Sequence, residues 1–196
     1  MYQRSYQLLC SENSLLVVVD IQERLIPVIE NGNAVMFNAN RLLRAAAALD
    51  ISVIVSEQYP KGLGPTVPAV AEAVPPNSPM FEKKSFSICA APMIHGKIEE
   101  FPDAKIVLCG VETHICILQS AFDLLAMGRE VVLVVDAAGS RFAEDRNTAL
   151  RTLESAGVAL ATTESVMFQW CNTAEHPAFK TISALARERV EEFGER

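Results

Sequence analysis

The sequence predicts an α/β three-layer sandwich, a parallel sheet covered by helices on both faces. Six short runs rich in Val, Ile and Leu recur along the chain. Most are nearly continuous in apolar residues rather than alternating, as strands buried on both faces are. Helical patterns separate them, and this alternation argues for a parallel sheet wrapped by right-handed crossovers.

Taken in order, the first strand is Leu15–Val19, and Asp20 closes it within "VVVDIQERL". A helix follows in "NAVMFNANRLLRAAAALD", where an apolar stripe runs through helix-favouring residues up to Asp50. The second strand, Ile51–Val55, ends in Ser56-Glu57-Gln58. From about Ser56 to Pro79 the chain reads as one long non-helical connection holding six of the ten prolines. A loop of that length in a compact domain is usually functional, as a lid or pocket wall. The third strand is Met80–Lys84, with Lys83 and Lys84 side by side in "FEKKSFS". The fourth, Ile106–Cys109, is expected to stop at Gly110, before a polar patch from Val111 to His114. "HICILQSAFDLLAMG" then has helical period and a C-terminal stop at Gly128, which puts Cys116 at a helix start. Strand five, Val131–Val135, ends in Asp136, and "AEDRNTALRTLESAG" supplies the next helix, stopped by Gly157. Strand six is Val158–Ala161. "HPAFKTISALARERVEEFGER" reads as a final amphipathic helix with a charged, frayed end.

The length of 196 residues fits one domain over 1–196 with a single substantial core. A net charge of −7 without any Lys/Arg cluster argues against nucleic acid as partner. Runs such as "LLVVV" and "VVLVV" are strand-length, so no membrane span is expected. The N-terminal stretch lacks a long apolar segment, which disfavours a signal peptide. Five cysteines with no CxxC pair favour reduced thiols in a cytoplasmic compartment. No strand is followed by G-x-G-x-x-G, and "GLGPT" lacks the spacing of a phosphate loop.

In an open parallel sheet, ligands bind beyond the carboxyl ends of the strands where strand order reverses. Aspartate (Asp20), lysine (Lys83 or Lys84) and cysteine (Cys116) all fall at that edge. A thiol is a strong nucleophile only as thiolate, and a nearby cation and a helix N-terminus both lower its pKa. Asp20 can accept the thiol proton, and backbone N–H groups of "VETHIC" can hold an oxyanion. Each residue also has an ordinary role: strand-end Asp as cap, paired Lys as surface, Cys as packing. Cys10, Cys89, Cys109 and Cys171 are assigned to packing. For His114 a turn or interface position is favoured over a Cys–His dyad. The joint pattern of Asp, Lys and Cys carries the functional reading.

"LLVVVDIQERL", "EKKSFS" and "VLCGVETHICILQSAFDLLAMGREVVLVVDAAGSR" resemble the cysteine hydrolases of the isochorismatase-like superfamily, which includes nicotinamidases and N-carbamoylsarcosine amidases. The resemblance spans roughly Ser14 to Thr163. "SEQYPKGLGPT" and "HPAFK" bring it nearest to the isochorismatase-domain-containing branch. It implies a six-stranded parallel sheet, a homo-oligomer, and a triad of Asp20, Lys83 and Cys116. Lys83 is preferred because "KKSFS" aligns with the branch's Lys-Thr-x-Phe-Ser. It further implies a cis peptide between Val111 and Glu112, so that the amides of Glu112 and Cys116 form an oxyanion hole. Gln22, Gln58, Tyr59 and Phe86 are the expected substrate-binding residues for a small molecule. The superfamily's metal site has no counterpart in "VIVSEQYPKGLG", which lacks histidine, so no metal or other cofactor is expected. A metal-independent cysteine amidohydrolase is the leading expectation. The alternative is an oligomeric binding or scaffold protein of the same fold.

Overall fold

A computed structural model describes residues 3–192. Six strands form one sheet: β1 (Ser14–Val19), β2 (Ser52–Gln58), β3 (Met80–Lys83), β4 (Lys105–Val111), β5 (Val131–Gly139) and β6 (Ala159–Ala161). All neighbouring pairs are parallel, in the order β3-β2-β1-β4-β5-β6. The order reverses between β1 and β4, which opens a crevice beyond their carboxyl ends.

Side-chain alternation divides the apolar residues between two cores. Leu16 and Val18 of β1 face one cluster with α1 (Gly32–Ala48), α7 (Thr163–Cys171) and α8 (Phe179–Arg187). Leu15, Val17 and Val19 face the other, with α4 (Pro92–Glu99), α5 (Leu118–Ala126) and α6 (Ala143–Ser155). The three layers are those read from the near-continuous apolar runs.

Several boundaries differ from the sequence reading. The connection after Val55 is not one non-helical loop. β2 continues through Gln58, and two short helices follow, α2 (Pro60–Leu63) and α3 (Pro68–Ala71). Each opens on a proline, whose fixed φ and missing N–H suit a first helical turn. β4 does not stop at Gly110 but runs to Val111, because the ladder to β5 continues through Gly110↔Ala138 and Val111↔Gly139. β5 likewise extends past Asp136 to Gly139. Helices α4 and α7 carry no clear stripe in the sequence, although Pro92 opens the first and the Thr162 hydroxyl caps the second by accepting the Ser165 N–H. The final helix ends at Arg187, a short 3-10 turn follows, and the charged end at 193–196 lies outside the described residues.

Candidate active site

Register brings the site together at the crevice. Val19 pairs with both Ser56 and Gly110, so Asp20 leaves β1 level with the ends of β2 and β4. Lys83 closes β3 opposite Gln58. Cys116 lies in a π turn, Thr113–Ile117, that leads from β4 into α5.

Asp20, Lys83 and Cys116 meet in one buried cluster. The Lys83 Nζ lies 2.6 Å from Asp20 Oδ2, 2.7 Å from Gln58 Oε1 and 3.7 Å from Cys116 Sγ. The carbonyls of Ser85 and Phe86, each at 3.2 Å, complete its surroundings. An ammonium has three protons, so these neighbours share them and fix the side chain from several sides. Lys84 is exposed, on the other face of the chain.

Burial pushes the Cys116 thiol up to about 12, the charge of Asp20 adds to the rise, and Lys83 opposes it. The lowering expected from a cation and a helix start does not occur. Removing the sulfur from water penalises the thiolate, and Asp20 outweighs what Lys83 gives. The resting group is a thiol beside a carboxylate.

Below the sulfur, the Ser120 hydroxyl donates to the Cys116 carbonyl at 2.5 Å and accepts from the Ile88 N–H at 3.0 Å. The Val111–Glu112 peptide is cis. The Glu112 carboxylate, which the sequence reading left without a task, accepts from both the backbone N–H (3.0 Å) and Nε (3.1 Å) of Arg141. Thr113 Oγ1 donates to the Gly139 carbonyl at 3.0 Å, so the seam is tied to the end of β5.

The expected substrate-binding residues divide in two. Gln22 is fully buried, and its amide is consumed by Gln58 N–H (2.7 Å), Gln58 O (3.0 Å) and Gly64 O (2.6 Å). Gln58 holds Lys83 through Oε1 and donates to the Lys84 carbonyl at 2.9 Å through Nε2. Gln22 is therefore frame rather than pocket wall, while Gln58, half-buried, holds the lysine of the cluster. Tyr59, at left-handed φ 39°, is 50% exposed and Phe86 is 53% exposed, which leaves both rings open to solvent. Asp136 is displaced from the crevice: its Oδ1 accepts from the N–H (2.8 Å) and hydroxyl (2.9 Å) of Thr163. His114 Nδ1 lies 3.0 Å from Ser140 Oγ and its Nε2 lies 3.8 Å from Asp145, so its ring is engaged by the start of α6. Among the described residues, no group of three or more His, Cys, Asp or Glu gathers as a ligand set for a metal.

Ser56 was missed as a partner of the cluster. Its hydroxyl donates to Asp20 Oδ1 at 2.7 Å. The available signal was a lone hydroxyl ending the apolar run "VIVS", two residues from Gln58 and so on its face of the strand.

The Isochorismatase domain family matches residues 14–165. "Isochorismatase domain-containing protein 2" of Danio rerio is 42% identical over 179 residues, covering 90% of this chain and 88% of that protein. A solved structure described as MAR1 ribonuclease from Caenorhabditis elegans superposes with a TM-score of 0.88 at 36% identity, over 96% of this chain and 97% of that one. The YcaC gene product of Escherichia coli, described as an octameric hydrolase of unknown specificity, shares the fold at 18% identity, with a TM-score of 0.87 over 97% and 96% of the two chains. With a matching domain over most of its length and a relative at this identity, the chain belongs to the isochorismatase domain family.

Proposed function

We propose that the chain is a metal-independent cysteine hydrolase acting on a small amide or related carbonyl compound. The observation that carries this is the buried contact of one lysine with both a carboxylate and a thiol: Lys83 Nζ at 2.6 Å from Asp20 and 3.7 Å from Cys116. Asp20 takes the Cys116 proton as the sulfur attacks the carbonyl carbon, and Lys83 balances the negative charge of the thiolate. The N–H groups of Glu112 and Cys116 hold the oxyanion. Protonated Asp20 returns its proton to the departing amine, the C–N bond breaks, and water hydrolyses the thioester to release the acid. The raised thiol pKa supports this order, since the sulfur ionises only as Asp20 receives its proton. That Gln58 turns a carboxamide oxygen toward Lys83, in a stretch without histidine, supports the metal-independent reading. We take residues 1–196 as one domain in a cytoplasmic homo-oligomer, the last supported by the octamer described for YcaC.

The test is mass spectrometry after treatment with a small aldehyde or activated-carbonyl probe. Cys116 is expected to be labelled first, and amide turnover across a panel is expected to vanish in Cys116→Ala. Preferential labelling of another cysteine, or equal turnover by Cys116→Ala, would overturn the reading. One alternative is a binding or scaffold protein of the same fold. It predicts no amide turnover by wild type that Cys116→Ala abolishes. RNA cleavage, the activity for which the C. elegans protein is named, would have to survive Cys116→Ala to compete.

A further inference from the structure

The cysteine-hydrolase reading leaves Ser56 without a task, although it holds Asp20 by two hydrogen bonds, one from its hydroxyl and one to its carbonyl. Ser56 is fully buried, so it is screened from solvent and from any ligand entering by solvent. Its carbonyl accepts the Asp20 N–H at 3.0 Å, and its hydroxyl donates to Asp20 Oδ1 at 2.7 Å. The other carboxylate oxygen, Oδ2, takes Lys83 at 2.6 Å. The two oxygens of Asp20 are thereby given different partners.

This division has a chemical consequence. The terminal torsion of an aspartate is broad and roughly two-fold, so nothing intrinsic distinguishes one oxygen from the other. A hydroxyl fixed on Oδ1 locks the plane of the carboxylate and leaves Oδ2 to Lys83, whose ammonium also contacts the thiol. When Oδ2 receives the Cys116 proton, Oδ1 becomes the carbonyl oxygen of a carboxylic acid and still accepts from Ser56. The same hydrogen bond persists in both protonation states. Asp20 itself sits at left-handed φ 55°, a conformation that Asp tolerates but does not favour, so its backbone is also held by its neighbours.

Resting on the hydrolase reading, we infer that Ser56 is a positioning residue that selects Oδ2 of Asp20 as the proton acceptor for Cys116. It acts through Asp20 and touches no substrate. Gln58, two residues along the same face of β2, plays the matching part for Lys83 through its 2.7 Å hydrogen bond. β2 thus orients both members of the ion pair.

The experiment uses the full chain and p-nitrophenyl acetate, from which the Cys116 sulfur would form a thioester as the C–O bond breaks and p-nitrophenolate leaves. The rate of the acylation burst, its dependence on ester concentration and its pH profile are measured for wild type, Ser56→Ala, Ser56→Thr and Cys116→Ala. Ser56→Ala is expected to slow acylation about 10- to 100-fold, with half-saturation unchanged, because only the orientation of the base is lost. Its acid limb moves to higher pH, since a donor to a carboxylate favours the charged form. Ser56→Thr, which keeps the hydroxyl, is expected to restore both rate and limb. Should Ser56→Ala fail to fold, Ser56→Cys, near-isosteric with only a weak donor, carries the same comparison. A burst that needs Cys116 but is unaltered in Ser56→Ala overturns the role of Ser56 and leaves the hydrolase reading standing. Slowing that Ser56→Thr does not restore also overturns it, because packing rather than the hydroxyl would be responsible. A burst intact in Cys116→Ala takes down both readings.

Discussion

At the scale of single residues, the Asp20–Lys83 pair concentrates the largest local energies. Both side chains are fully buried at 2.6 Å, so each depends on the other for compensation of its charge. Removing one partner of a buried ion pair strands the other and costs about 3–5 kcal/mol. Lys83→Met is therefore expected to lower unfolding free energy by that amount in urea titrations, while Lys84→Met leaves the urea midpoint unchanged. The double variant Asp20→Asn/Lys83→Met should recover part of the loss, since no uncompensated charge remains. Equal effects of the two single lysine substitutions would refute the assignment. The sequence narrowed the lysine to two neighbours, and strand alternation required that only one face inward. Which one does so depends on the register of β3 against β2, set by the pairing of Lys83 with Gln58. That is a tertiary fact with no local code. The same holds for Gln22, whose polar end reads as pocket-lining until the backbone it holds is seen.

At the scale of elements, the switch between β1 and β4 depends on Gly110. Its φ is +121°, and a Cβ built there would stand 2.0 Å from the Val19 carbonyl oxygen and 2.8 Å from Val19 C. Both contacts are backbone, so nothing can rotate aside. Gly110→Ala is expected to force β1 and β4 apart and to cost upwards of about 4 kcal/mol, in the range reserved for backbone conflict in a core. Chemical denaturation would measure it, and a loss below about 1 kcal/mol would show that the strands can separate cheaply. From sequence, Gly110 reads as the end of the strand, because glycine is the usual punctuation. In the sheet it marks a register shift between Leu108 and Gly110, where glycine permits both the irregularity and the close approach. The four inner strands were legible because burial on both faces leaves a continuous apolar run, whereas the edge strands β3 and β6 are partly exposed and shorter. The connection after β2 was not, since α2 and α3 are a single turn each and take their shape from contacts such as Glu57 Oε1 with the Thr66 N–H (2.6 Å) and hydroxyl (2.7 Å).

At the scale of the whole molecule, one composition fact becomes a stability property. The five cysteines read as reduced thiols, and they are free in the fold. What composition does not reveal is how far the two cores suppress the ionisation of three of them. Burial pushes Cys109 and Cys116 up to about 12 and Cys89 up to about 11, from an ordinary value of 9.0. Below pH 9 both folded and unfolded chains keep these protons, and the thiols contribute their full share to stability. Above pH 9 the unfolded chain releases them while the folded chain retains them. The unfolded state then binds fewer protons, so stability falls as pH rises, by about 1.4 kcal/mol per pH unit for each such thiol. The loss levels off only as the folded values near 11 and 12 are reached. Lysines and tyrosines titrate in the same window, so a variant must isolate the thiols. Cys109 suits this, because it lies wholly inside the apolar cluster beneath α1 and takes no part in the candidate site. Cys109→Val keeps the volume close and suits a strand. Urea midpoints followed from pH 8 to pH 11 are expected to fall less steeply in Cys109→Val than in wild type, by one thiol's share. Parallel curves for the two proteins would mean that Cys109 ionises as readily folded as unfolded, and that the core on that face admits water to the middle of the sheet.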